Sequence, residues 1–218
     1  MIGKTITNYR ITEEIGNGST GRVYKASHLT LDRVFAIKMI HPGLLGNLEV
    51  IARFYKEAKT LVQLDHPNIV TVYDFLEVSG GYFIIMECVR GESLGKILSR
   101  QGAFEAHVAV LIFRQILDGV CCAHSKGVIH RDIKPSNLIL ATGFVKITDF
   151  GIRQIICGTD LAMTGGVLGA PKYMSPEQIL GKKMDHIRQS VNWEIIAAET
   201  QDMRMVGLVI NPRLCSVF

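Results

Sequence analysis

Residues 130–137 read HRDIKPSN, a stretch that crowds three different chemistries into one short segment. Asp132 could accept a hydroxyl proton or orient that hydroxyl, Lys134 could neutralise charge on a transferring group, and Asn137 could offer its amide oxygen to a metal. His130 and Arg131 fit structural tasks better: His130 as a packed imidazole, Arg131 as the partner of a phosphate or carboxylate. Downstream, 149-DFG-151 adds Asp149, a hard oxygen ligand suited to Mg²⁺, and Phe150, a packing switch. Two oxygen ligands, Asn137 and Asp149, converging on one metal–phosphate cluster make a phosphoryl-transfer site.

Working toward the N-terminus, 15-IGNGSTGRVY-24 places Gly16, Gly18 and Gly21 between two strand-like runs, YRITEEI and RVYKA. A dinucleotide-binding fold would set such glycines between a strand and a helix. The strand–loop–strand context points instead to a hairpin lid whose N–H groups can approach phosphates, since no Cβ holds the chain away. Read in isolation, the same glycines serve as ordinary turn residues. On the next strand, 35-FAIK-38 puts the Lys38 ammonium within reach of polyphosphate oxygens. A half-buried lysine needs an anionic partner, which the helical stretch 53-RFYKEAKTLVQL-64 supplies as Glu57. The bland alternative is a surface lysine and a solvated glutamate.

The surrounding pattern predicts an α+β chain with its boundary near residues 87–92. From Tyr9 to Met86, short β-branched runs (RVYKA, VFAIKMI, IVTVYDF, YFIIME) alternate with turn signals around one helix, EVIARFYKEAKTLVQL. Beyond RGES, Val108, Leu111, Ile112, Leu117 and Val120 recur at helical spacing, and Gly127 is placed to stop that helix before a short strand, VIH. The 218 residues are 48% hydrophobic and 20% charged, enough for a sizeable core. A net charge of +4 without a Lys/Arg run argues against a nucleic-acid stripe or a polybasic membrane tail. Five cysteines without C-x-x-C spacing argue against a disulfide framework or zinc site, and suggest a reducing cytoplasm. No stretch is expected to approach the length of a membrane span.

The ordered set of glycine loop, FAIK, helical glutamate, HRDIKPSN, DFG and 170-APKYMSPEQ-178 resembles the eukaryotic-type protein kinases, and HPNIV, HRDIKPSNLIL and YMSPEQ resemble bacterial serine/threonine kinases in particular. The resemblance covers roughly residues 9–181. It implies a two-lobed protein-kinase-like fold: a β-rich small lobe with one helix (1–86), a hinge (87–92) and the first part of a helical large lobe (93–181). It implies ATP and Mg²⁺ as cofactors and a protein with a Ser or Thr acceptor as substrate. Lys38 would hold the α- and β-phosphates and pair with Glu57, Asp132 would be the catalytic base and Lys134 would assist transfer. Asn137 and Asp149 would hold Mg²⁺. The nucleotide would lie along Ile15, Gly16, Asn17, Gly18, Gly21, Val23 and Ala36, with Met86 as gatekeeper. Glu87 and Cys88 would offer main-chain bonds to adenine, and Glu92 would reach the ribose. Arg131 before Asp132 marks the class in which a phosphorylated activation segment docks, with Thr164 or Thr159 as phosphosite.

Two departures qualify the resemblance. The family commonly carries threonine where this chain has Ala170, a hydroxyl that bonds the catalytic aspartate and lysine. Then 184-MDHIRQSVNWEI-195 lacks the family's acidic and aromatic signature, and 182–218 reads as a divergent tail. A reading-frame change near His186, a natural short variant and extreme divergence each account for it. An incomplete large lobe would expose apolar surface and favour self-association. Two functions therefore follow: an enzyme phosphorylating Ser/Thr, or a non-catalytic nucleotide-binding or interaction module.

Overall fold

The computed structural model describes residues 1–18, 20–41, 43, 48–130 and 132–150; within 48–62 it describes the side chains of 51, 52, 55 and 58–62. The chain forms two compact units. The first holds Met1–Asp65 and Val70–Arg90, and the second holds His66–Ile69 and runs on from Gly91.

The first unit is a six-stranded antiparallel sheet, built from β1 (Thr5–Ile6), β2 (Tyr9–Gly18), β3 (Gly21–His28), β4 (Val34–Ile40), β5 (Val72–Val78) and β6 (Gly81–Glu87) in the order β1-β2-β3-β4-β6-β5. The near-continuous apolar runs of β4 and β6 belong to its interior: Phe35, Ala36, Ile37 and Ile40 are buried, as are Phe83, Ile84, Ile85 and Met86. The more polar β2 alternates less and bulges twice, between Ile11 and Glu13 and between Glu14 and Gly16. One core cluster joins Ile11, Tyr24, Ala26, Phe35, Ile37, Phe83 and Ile85. Helix α1 (Leu48–Val62) follows β4 and packs on β5, burying Ala58 and Leu61. Its bounds lie within two residues of the predicted helix.

In the second unit, α2 (Leu94–Gln101) and α3 (Ala106–Ser125) accompany a three-stranded sheet of β7 (Gly91–Ser93), β8 (Leu138–Ala141) and β9 (Val145–Ile147). Ser93 caps α2, its Oγ accepting from Lys96 N. Helix α3 buries Ile112, Ile116, Gly119, Val120 and Ala123. A Cβ on Gly119 would meet Ile147 Cδ1 at 2.9 Å and Asn68 Cβ at 3.4 Å, so a glycine lets α3 lie close to β9. Asn68 itself donates to Val145 O and Gln115 Oε1, which is why residues 66–69 pack with this unit and interrupt the 1–86 stretch.

Three expectations need correction. Gly127 ends α3 in the left-handed region (φ 74), as predicted, but VIH forms no strand: Val128 N donates back to Ala123 O as part of the helix cap. By length and composition alone, α3 is long and apolar enough to cross a membrane, as a core helix also can be; Val110 and Leu111 on it are 58% and 59% exposed. Cys121 is disulfide-bonded, while Cys88 and Cys122 are free thiols. Sequence spacing does not reveal which sulfurs meet in space.

Candidate functional site

In the second unit, the loop between α3 and β8 brings Asp132, Lys134 and Asn137 together. Pro135–Asn137 form a single 3₁₀ turn that folds Asn137 back on Asp132. Asn137 Nδ2 donates to Asp132 O at 2.8 Å and to Asp132 Oδ2 at 3.2 Å, while Lys134 Nζ lies 2.8 Å from the same Oδ2. The Asp132 and Lys134 side chains keep 20% and 23% of their surface exposed, so the carboxylate is oriented from behind yet remains accessible. Asn137 is buried.

The end of β9 is stitched to this loop. Thr148 donates to Asn137 O from both its N–H (2.9 Å) and its hydroxyl (3.1 Å). Thr148 O in turn accepts from His130 Nε2 at 2.8 Å. Since Asp132 N donates to His130 Nδ1, the ring carries its proton on Nε2. Burial pushes the His130 pKa down, offset in part by the Thr148 bond and the Asp132 and Asp149 charges, and the imidazole is neutral. Phe150 is buried against it, ring centroids 4.5 Å apart at 62°. Between Thr148 and Phe150, Asp149 takes φ 62, a left-handed conformation that costs energy for a non-glycine residue and is held here between the hydrogen-bonded Thr148 and the buried Phe150 ring.

The donor set suits a hard cation. Both amide hydrogens of Asn137 point toward Asp132, which turns Oδ1 away from those bonds, and no described protein donor takes it. An amide oxygen and the Asp149 carboxylate are the oxygen ligands Mg²⁺ accepts, with phosphates and water completing its shell. Among the described residues no cluster of three His, Cys, Asp or Glu forms an all-protein metal cage.

In the first unit, the glycine stretch is the tight turn of the β2–β3 hairpin, with Gly18 paired to Gly21. Its glycines are not equivalent. A Cβ at Gly21 would collide with the Met39 carbonyl and come within 3.2 Å of Ile40 Cα, so the β3–β4 ladder itself demands glycine there. At Gly16 and Gly18 the nearest atoms lie at 3.7 and 3.9 Å, ordinary contact, leaving room over the loop. Lys38 is buried in β4, between Val23 on β3 and Ile84 on β6. Glu57 lies on α1; its side chain is outside the described set.

Ala36, Met86 and Val70 form a separate buried cluster, with Val23, Cys88 and Val89 packed against it. Four of these six, Ala36, Met86, Val23 and Cys88, are residues that the sequence reading expects along the nucleotide, and Val70 and Val89 are not among them. The β4–β6 pairing ends at Phe35–Glu87, so the strand ladder stops where Cys88 begins. Burial pushes the Cys88 thiol pKa up, against the pull of Lys25 and Arg90. Ile15 is 45% exposed. Asn17 pairs with Arg22 across the hairpin. The Glu92 carboxylate is engaged by Arg100 at 2.8 Å. Arg131, Thr159, Thr164, Ala170 and the tail lie outside the described residues.

The Asp132–Lys134–Asn137 loop of the second unit, and the glycine hairpin and buried lysine strand of the first, are the segments in which the sequence reading expects phosphoryl-transfer chemistry. Residues 9–193 match the protein kinase domain family, and the chain belongs to it. The match continues past residue 181, where the sequence reading ended it. The chain is 42% identical over 196 residues to the serine/threonine-protein kinase pkn3 of Myxococcus xanthus, covering 85% of this chain and 36% of that protein. It is 40% identical over 183 residues to PrkC of Bacillus subtilis, covering 83% and 28%. It thus spans about a third of the length of these relatives. Among solved structures it is similar to the PknI kinase domain of Mycobacterium tuberculosis, with 25% identity and a TM-score of 0.70 over 86% of this chain and 70% of that one.

Proposed function

We propose that this chain is the catalytic domain of a protein serine/threonine kinase that moves the γ-phosphoryl group of ATP to a Ser or Thr hydroxyl with Mg²⁺. The observation that carries this reading is the Asp132–Lys134–Asn137 arrangement, an accessible carboxylate held by an ammonium and an amide whose oxygen is turned away. Asp132 orients the acceptor hydroxyl and takes its proton. Lys134, already paired with Asp132, balances charge on the transferring group. Asn137 and Asp149 hold the cation, which when bound neutralises charge on the phosphate oxygens. Lys38, paired with Glu57, holds the α- and β-phosphates.

The loop of Gly16, Asn17, Gly18 and Gly21 covers the phosphates, and Ile15, Val23, Ala36 and Met86 enclose the base. Glu87 and Cys88 supply main-chain bonds, and Glu92 reaches the ribose by releasing Arg100. Thr164 or Thr159 is the activation-segment phosphosite. The substrate is a protein and the compartment cytoplasmic, with no nucleic-acid partner. Ala170, which lacks the hydroxyl common at its place in the family, favours a second reading as a nucleotide-binding module without turnover.

Phosphate transfer from labelled ATP to a Ser/Thr-containing protein separates the two. The kinase reading expects Mg²⁺-dependent transfer that Asp132→Asn abolishes and Mg·ATP binding that Lys38→Ala weakens. Binding without transfer supports the second reading, and neither binding nor transfer overturns both.

A further inference from the structure

Tyr55 projects from α1 toward the outer strands of the first unit's sheet. Its hydroxyl donates to Glu77 Oε2 on β5 at 2.9 Å. Tyr82 on β6 is the direct cross-strand partner of Glu77, and burial, then the same carboxylate, pushes its pKa up. The two phenol rings meet edge to face with centroids 6.4 Å apart. The Glu77 carboxylate on β5 is thus held by the phenol of the helix, and the Tyr82 ring of the same hairpin packs edge-on against that phenol. Hydrogen bonds to an ionised group are stronger than neutral ones, so this grip is worth more than an ordinary surface contact. Burial, then Glu77, pushes the Tyr55 pKa up to about 12, and the donor keeps its proton throughout the working range.

The helix it fastens also carries Glu57, two residues on. A helix moves as a unit, so the register that Tyr55 sets is the register Glu57 has. We propose that Tyr55, through Glu77 and Tyr82, is a positioning residue that fixes α1 against the β5–β6 hairpin and thereby sets the acid partner of the phosphate-binding lysine. This rests on the nucleotide reading above. It assigns a role in phosphate recognition to three residues that contact no phosphate.

Two measurements on the whole chain test it. Amide exchange without ligand compares α1 with β6 in the parent, Tyr55→Phe and Glu77→Gln, and binding titrations compare Mg·ATP with adenosine. Tyr55→Phe is expected to speed exchange in α1 roughly tenfold while β6 is unchanged. It should weaken Mg·ATP on the order of three- to tenfold and leave adenosine alone, because only the phosphates use Lys38 and Glu57. Glu77→Gln, which keeps an acceptor but loses the charge, should fall between parent and Tyr55→Phe in both readouts, and it decides the matter if Tyr55→Phe does not fold.

Unchanged α1 exchange overturns the clamp. Faster exchange with unaltered Mg·ATP binding, or equal losses for Mg·ATP and adenosine, overturns the positioning role. A parent chain that binds no Mg·ATP refutes the nucleotide reading and the phosphate half of this proposal with it, while the ligand-free exchange still decides whether the clamp holds α1.

Discussion

Replacing Asn137 by Asp changes little in shape and reverses the electrostatics of the loop. The amide now gives Asp132 two bonds, one to its carbonyl and one to its carboxylate. The first is worth about 1 kcal/mol and the charge-assisted second about 1.5–3. Asn137→Ala forfeits both, an expected loss of about 2–4 kcal/mol. Asn137→Asp forfeits them and adds a carboxylate near Oδ2, now 3.2 Å from the amide nitrogen. Two unit charges at that separation repel by about 1 kcal/mol in a water-like medium and about 5 at an effective dielectric of 20. The site lies between those limits, since Asn137 is buried and the Asp132 side chain is 20% exposed.

Asn137→Asp should therefore be less stable than Asn137→Ala by about 1–4 kcal/mol at pH 7 in urea denaturation without metal. Millimolar Mg²⁺ should recover part of the loss in Asn137→Asp and none in Asn137→Ala. If the aspartate variant is no less stable than the alanine variant, or Mg²⁺ treats them alike, the assigned geometry and metal role are wrong.

Gly21→Ala should cost about 2–4 kcal/mol, because its Cβ meets backbone of β4 that cannot yield without breaking the ladder, whereas Gly16→Ala should cost under about 1; equal denaturation midpoints for the two would contradict the packing described. Asp149→Asn should leave adenosine binding intact and remove most of the Mg²⁺-dependent tightening of ATP binding, a difference that calorimetry with and without Mg²⁺ reads directly. At alkaline pH the raised Tyr55 pKa predicts loss of stability: unfolded tyrosine ionises from about pH 10, while the folded residue keeps its proton to about 12, so stability declines across that interval. Tyr55→Phe should flatten the decline, and an unchanged slope would remove the Glu77 bond from the account.

Chemistry written in contiguous residues was legible in the sequence. Asp132, Lys134 and Asn137 lie within one short loop, so their order already brings them together, and the strand-like runs YRITEEI and RVYKA already implied a hairpin around the glycines. FAIK likewise reads as a strand carrying a half-buried lysine, and Lys38 is buried in β4. Periodicity reports which way neighbouring side chains point, and that suffices for a strand, a turn or a single loop. It is silent about partners brought together by register and packing. Thr148 joins His130 across 18 positions, and Tyr55 joins Glu77 across 22. The glycine pattern treats Gly16 and Gly21 alike, yet only the pairing of β3 with β4 puts the Met39 carbonyl where a Cβ at Gly21 would be. VIH has the composition of a strand, but among the described residues no strand pairs with it, and its first N–H had already been claimed by the end of α3. Hydrogen bonds are spent on whichever partner the packed chain presents, so the left-handed Asp149, the orientation of the Asn137 amide and the grip on α1 were decided only when the elements came together.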